Sequence, residues 1–252
     1  AWRIDAIVAA IRKLPWVGSL VERFGVRRVD DRTGWELLHG AEVPETVVVD
    51  EHGMKLLVRP LVGQKTGLFL DQRDHRRRIR ELAAGRTVAN LFAYTGGFSV
   101  AAALGGAAHT TTVDIAPEAI EDARETFRLN GLDPDEHAFE VADVFEWMPS
   151  HTVDLLIVDP PSLTRGARSD ANATRAYTRL HRRLSPTVPK HGLLATASCT
   201  ARLSLLDWRQ AVSIGLVGDW SWHELSTHAA DHCVANGHPE GWYLKFGIAM
   251  KR

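Results

Sequence analysis

The chain has 252 residues, 45% of them hydrophobic, and a formal net charge of −1 at pH 7. That allows one large domain, or a full α/β domain with a small appendage, and a balance so near neutral gives no bulk attraction to nucleic acid. No apolar run reaches the roughly 18 residues of a membrane helix, no secretory signal pattern is visible, and the two cysteines, Cys199 and Cys233, read as reduced thiols in a cytoplasmic protein.

In chain order, residues 4–13 read as a helix and 17–28 as a strand or extended segment. Residues 46–50 and 54–60 resemble a hairpin around Glu51-His52-Gly53. This part is too short and broken to repeat the strand–helix pattern of the remaining chain, so residues 1–76 are expected to form a small α+β domain and linker. From residue 77 to 252 strands and helices alternate. A first strand over 87–92 runs into Ala93-Tyr94-Thr95-Gly96-Gly97, then comes an Ala-rich stretch at 98–104. A second strand, 110–113, ends in Asp114. The next helix has Pro117 in its first turn and Ile120, Ala123 and Phe127 on one face. A third strand at 137–141 is closed by Ala142-Asp143. A fourth, 153–158, reads VDLLIV and leads into Asp159-Pro160-Pro161. A helix at 177–184, a fifth strand at 193–198 and two more at 220–225 and 241–248 complete the series. The expected fold class is α/β, Rossmann-like, with a mainly parallel seven-stranded sheet covered by helices on both faces.

Open α/β sheets bind ligands beyond the carboxyl ends of their strands, and the informative residues sit at those ends. Gly96 lets the backbone turn tightly and approach a ligand. The spacing is not the GxGxxG fingerprint, which argues against a nicotinamide dinucleotide. Asp114 can accept both hydroxyls of a ribose, and Asp143 the amino group of an adenine. A single aspartate of this kind is usually a cap. The ordered series of Gly96, Asp114, Asp143 and Asp159 fits a nucleoside-bearing cofactor lying across the strand tips. Charge is also local: residues 73–80 hold five arginines and residues 165–183 hold six, either solvated helix faces or a phosphate-binding rim. The twelve histidines show no zinc-ligand spacing, so no metal is expected.

Four stretches carry a resemblance: GQKTGLFLDQRDHR at 63–76, NLFAYTGGFSVAAALGGA at 90–107, VDLLIVDPPSL at 153–163 and HAADHCVANGHPEGWYLK at 228–245. Over about residues 45–252 the sequence resembles the bacterial 23S rRNA cytosine-5 methyltransferases, class I enzymes of the large-subunit rRNA methyltransferase I type. The resemblance implies S-adenosylmethionine as cofactor and RNA, in particular rRNA, as partner. It implies that Lys65, Thr66 and Phe69 belong to a linker over the cofactor pocket, with Arg73 near the methionine carboxylate. Phe92, Tyr94 and Gly96 would line the methionine part, Asp114 the ribose and Asp143 the adenine end. Asp159 and Pro160 would face cofactor and target base. Family members carry an RNA-binding PUA domain ahead of this region, which the sequence is expected to lack, and the small first domain is expected to offer a further RNA-binding face.

The resemblance also places a nucleophile at Cys199 in TASCT, residues 196–200, with Asp159 as its catalytic partner. Arg165, Arg168, Arg175, Tyr177 and Arg179 come after Asp159 and are expected to bind substrate, the arginines through phosphates and the tyrosine by stacking. Departures from the family pattern are Ser162-Leu163 after the Pro-Pro pair, Thr200-Ala201 after the cysteine and Cys233 in the tail. The expected activity is methyl transfer to C5 of an RNA cytosine through a cysteine adduct. The alternatives are a methyltransferase for another acceptor, an rRNA guanine or a small molecule, and a non-catalytic RNA-binding protein.

Overall fold

The computed structural model describes residues 3–24, 32–163 and 170–252. The chain forms two compact units, one of residues 1–49 and 57–69, the other of residues 50–56 and 70–252.

The smaller unit begins with helix α1 (Ile4–Ile11), whose residues are exposed or half-buried. Strands β1 (Ser19–Phe24) and β2 (Gly34–Gly40) pair antiparallel, Ser19 opposite Gly40 and Phe24 opposite Gly34. β2 is not legible in the sequence, because GWELLHG is bracketed by glycines and its apolar residues do not alternate. Residues 25–28 of the expected first strand lie outside the described residues. Arg23 donates to the carbonyl of Gly63 at 2.7 Å and to that of Lys65.

β3 (Val47–Glu51) and β4 (Met54–Val58) form the expected hairpin. Its two-residue loop, His52-Gly53, has positive φ at both positions, 54° and 74°, the backbone that matches the twist of a two-residue hairpin. Residues 50–56 belong to the larger unit, and the reason is chemical. Glu51 is buried there against Arg76, which donates through Nε at 2.7 Å and Nη2 at 2.5 Å. Asn130 exchanges bonds with the backbone of Lys55, at 2.9 and 2.7 Å. Helix α2 (Arg73–Leu82) lies wholly in the larger unit, which resumes at Leu70.

The larger unit contains β5 (Thr87–Leu91), α3 (Gly97–Leu104), β6 (His109–Asp114), α4 (Pro117–Leu129), β7 (Ala138–Val141), β8 (Leu155–Val158), α5 (Asp170–Leu184), β9 (Leu193–Ser198), α6 (Leu205–Gly215), β10 (Trp220–Ser226) and β11 (Lys245–Lys251). The seven strands lie in the order β10-β11-β9-β8-β5-β6-β7. β9, β8, β5, β6 and β7 are parallel, and β11 runs antiparallel to both its neighbours.

β8 explains why the sheet is covered on both faces. All four of its residues are buried, and alternate residues of a strand point to opposite sides. Leu155 and Ile157 pack with Ile79 of α2 and Phe98 and Ala102 of α3. Leu156 and Val158 pack with Tyr177 and Leu180 of α5 and Trp208 of α6. A run apolar at every position is what a doubly covered parallel strand requires, and each such side chain contributes about 1.5–3 kcal/mol. α5 starts earlier than the expected 177, and α6 is an addition to the expected elements. β11 begins at Lys245 rather than 241, because Pro239–Gly241 forms a short 3-10 turn and a proline has no N–H for a strand ladder.

Candidate functional site

The order of β5, flanked by β6 on one side and β8 on the other, puts the topological switch point at the carboxyl end of β5, where such sheets bind ligands. The turn there is unusual. Phe92, Tyr94 and Gly96 have φ of 58°, 50° and 73°, and positive φ is uncommon for non-glycine residues and clusters at functional sites. Gly96 is required twice over, since its φ is left-handed and a Cβ would stand 2.8 Å from the Ala123 Cβ of α4. Ser99 of α3 accepts from Asn90 Nδ2 at 2.9 Å and from Thr112 Oγ1 at 2.8 Å, a buried polar knot that ties β5, β6 and α3 together.

Asp114, half-buried at the end of β6, accepts from the Tyr94 N–H at 2.7 Å and from the Ala116 N–H at 3.0 Å. Asp143 is exposed beyond β7 and accepts from the Phe145 N–H at 2.9 Å. Phe145 meets Phe92 edge to face at 5.5 Å, so an aromatic pair joins the first and third strand ends. Sequence reasoning passes over Phe145, which carries no motif.

Asp159 comes directly after β8, with Pro160 buried beside it. Its Oδ2 accepts from Gln72 Nε2 at 3.0 Å; Gln72 Oε1 lies 2.6 Å from His75 Nδ1, and His75 Nε2 lies 3.1 Å from Ser226 Oγ. Burial holds the His75 imidazole down to about 4, so it is neutral near pH 7. Since Gln72 turns its amide nitrogen to Asp159, its oxygen accepts from His75 Nδ1–H. The neighbouring Asp71, also buried, accepts from the Tyr243 hydroxyl at 2.6 Å. Burial, and then that carboxylate, raise the Tyr243 phenol above its usual value and keep it protonated.

Cys199 is half-buried just past β9. The register sets Thr196 opposite Val158, so Asp159, one residue past Val158, and Cys199, three past Thr196, leave the same edge of adjacent strands. Ser198 and Thr200 are buried on either side of the thiol. Tyr177 of α5 donates to Ser198 Oγ at 2.8 Å, and Lys245 Nζ donates to the carbonyls of Thr200 and Tyr243.

Of the remaining candidate residues, Tyr177 departs from expectation. Tyr177 is 0% exposed and its hydroxyl is pushed up to about 12 by burial, so it cannot stack on a base. α5 buries Ala173, Tyr177, Leu180 and Leu184, a helical spacing that marks Tyr177 as core. Arg175 and Arg179 are on that helix, and Arg175 donates to Asn172. Arg165 and Arg168 lie outside the described residues. Arg73 donates to Asp231 at 2.7 Å. Lys65, Thr66 and Phe69 belong to the smaller unit, where Lys65 Nζ stands 4.7 Å from the centre of the Phe69 ring and Thr66 Oγ1 donates to the Leu68 carbonyl at 3.3 Å. Among the described residues no cluster of three His, Cys, Asp or Glu could hold a metal ion, and no helix is long and apolar enough to cross a membrane.

Residues 18–205 match the profile of the S-adenosylmethionine-dependent methyltransferases. The chain belongs to that family. A Deinococcus radiodurans relative, named a ribosomal RNA large subunit methyltransferase, is 38% identical over 83% of this methyltransferase chain and 53% of its own length. An Aeromonas salmonicida relative, ribosomal RNA large subunit methyltransferase I, is 33% identical over 98% of this chain and 65% of its own. The chain thus spans between half and two thirds of these relatives. A Streptococcus mutans structure described as a methyltransferase of the same cofactor superposes with a TM-score of 0.86 at 30% identity, covering 98% of this chain and 65% of that one.

The methyltransferase cofactor, S-adenosylmethionine, suits the residues at the switch point. Asp114 has the acceptor oxygens that a ribose diol would need, Gly96 has no Cβ to obstruct an approach, and the Phe92–Phe145 pair offers an apolar edge.

Proposed function

We propose that this methyltransferase acts on RNA of the large ribosomal subunit, at C5 of a cytosine, through a covalent adduct between Cys199 and C6 of the base. The observation that carries the reading is the exit of Cys199 and Asp159 from neighbouring parallel strands at one edge, each held by side chains behind it. The names of the relatives support the choice of RNA.

Cytosine C5 is too weak a nucleophile to take a methyl group unaided. The Cys199 thiolate adds to C6, forming a C–S bond and moving the C5=C6 electron pair toward C5, which becomes enamine-like. Asp159 accepts hydrogen bonds from the exocyclic amine and from N3–H, the N3 proton being taken up from solvent as the thiolate adds and given back when it departs, which favours the adduct. S-adenosylmethionine, when bound, would supply the electrophilic methyl carbon. C5 would bond to that carbon as the sulfonium S–CH3 bond breaks and its electron pair returns to sulfur, leaving S-adenosylhomocysteine; a base then removes the C5 proton, the C5=C6 bond re-forms and the thiolate departs.

In this reading Phe92, Tyr94 and Gly96 line the methionine part, Asp114 takes the ribose hydroxyls, and Asp143 with Phe145 holds the adenine. Arg73 and Pro160 complete the cofactor's surroundings within the larger unit, and Arg175 and Arg179 contact phosphates. The target base must leave its stack to reach the thiol, which favours a single-stranded or loosely paired site.

The test uses labelled S-adenosylmethionine and RNA containing 5-fluorocytosine, with the parent and Cys199→Ala. Fluorine at C5 blocks the final proton removal, so a covalent protein–RNA species should accumulate in the parent and be missing from the variant. Cofactor binding without any adduct, on naked rRNA or assembled subunits, would reject the cysteine mechanism and favour a guanine or small-molecule acceptor.

A further inference from the structure

Lys245 is only 2% exposed, and lysine is almost never so buried unless it is paired. Its Nζ donates to two backbone carbonyls, those of Thr200 and Tyr243, and neither carries a charge to balance the ammonium. The strand register places Lys245 opposite Ser198, the residue before Cys199, while Thr200 is the residue after it. The ammonium therefore grips the turn that presents the thiol.

We propose that Lys245 is the positioning residue of Cys199: its buried ammonium fixes the turn carrying the sulfur and favours the thiolate over the thiol. The inference rests on the reading of Cys199 as a nucleophile and adds the group that prepares it. Burial pushes Lys245 down to about 8, and the Cys199 sulfur acts in the opposite direction. Charge coupling is mutual, so an ammonium stabilised by a thiolate stabilises that thiolate in return. The other titratable groups facing the sulfur come from three elements. Asp159, past β8, leaves the same edge of the sheet. Tyr177 of α5 and Tyr243 before β11 both feel the sulfur and are kept neutral by burial, with Asp71 behind Tyr243. Among the described residues of this group, Lys245 is the cation that the sulfur acts on. A buried lysine that holds only carbonyls would be a liability in a purely structural role, and a neighbouring thiolate gives its charge a use.

The experiment is the pH dependence of Cys199 alkylation by iodoacetamide in the full chain carrying Cys233→Ser, which removes the exposed competing thiol. Lys245→Met should move the midpoint up by about one pH unit, with about tenfold slower alkylation below it. An unchanged midpoint in a folded Lys245→Met protein overturns the proposal. If that variant does not fold, NMR of lysine labelled at Cε in Cys199→Ala decides: removal of the thiol should lower the titration midpoint of Lys245, and an unchanged midpoint overturns the proposal. Neither measurement uses RNA or cofactor. A chain that forms no fluorocytosine adduct can still show the coupling, and a chain that forms the adduct without the coupling refutes only the role of Lys245.

Discussion

The two halves of the sheet's carboxyl edge are built differently. At β5, β6 and β7 the ends are shaped by backbone: three positive φ angles at Phe92, Tyr94 and Gly96, and aspartates that accept from backbone N–H groups. At β8, β9 and β11 the ends are held by side chains reaching across the fold, Gln72 to Asp159, Tyr177 to Ser198 and Lys245 to the Thr200 carbonyl. Under the proposed function the first half is the surface that a cofactor would lie on, and its tolerance of side-chain change should be high wherever the backbone path survives. In the same reading the second half fixes the reacting groups, and single side chains there should matter to the reaction while leaving cofactor binding alone.

The largest test of that contrast is Cys199→Ala. Methyl transfer should fall about a thousandfold or more, while isothermal titration shows unchanged S-adenosylmethionine affinity; a matching loss of affinity would erase the division between the halves. Acid stability should sharpen it next. His75 and His181, both buried behind the second half, have imidazoles held down to about 4 by burial. Below pH 6.5 the unfolded chain binds protons that the folded chain does not, so stability falls as pH drops from 6.5 to 4. Each histidine contributes about 3 kcal/mol to that fall. Urea titrations of His181→Leu across this range should show a shallower decline than the parent, and equal slopes would remove the imidazole as the cause. On the first half, Gly96→Val puts a Cβ against Ala123 and forces a left-handed backbone. About 1–3 kcal/mol of strain should appear as lower Tm and weaker cofactor binding, and a variant with parental affinity would show that the turn does not shape the cofactor surface. The smallest effect is expected from Gln72→Leu, which releases one Asp159 oxygen: kcat should fall about tenfold at unchanged cofactor affinity.

The same division separates what is legible in the sequence from what is not. Gly96, Asp114, Asp143 and Asp159 can be found because each sits where a strand pattern stops, and strand ends are read locally. The side-chain ties cannot, since they join residues far apart in the chain: Gln72 to Asp159 spans 87 positions and Arg73 to Asp231 spans 158. Tyr177 misleads although its own signal is present, because the surrounding arginines draw attention from the spacing of Ala173, Tyr177, Leu180 and Leu184. β2 escapes for want of alternation, and Phe145 because its meaning lies entirely in Phe92.

β11 is the last of the described strands in chain order, yet it lies between β9 and β10. The sheet cannot close until that strand arrives, and it brings Lys245 as its first residue. During synthesis, then, the turn around Cys199 exists for a time without its ammonium. By the inference drawn from Lys245, the thiol would stay unprimed until β11 docks.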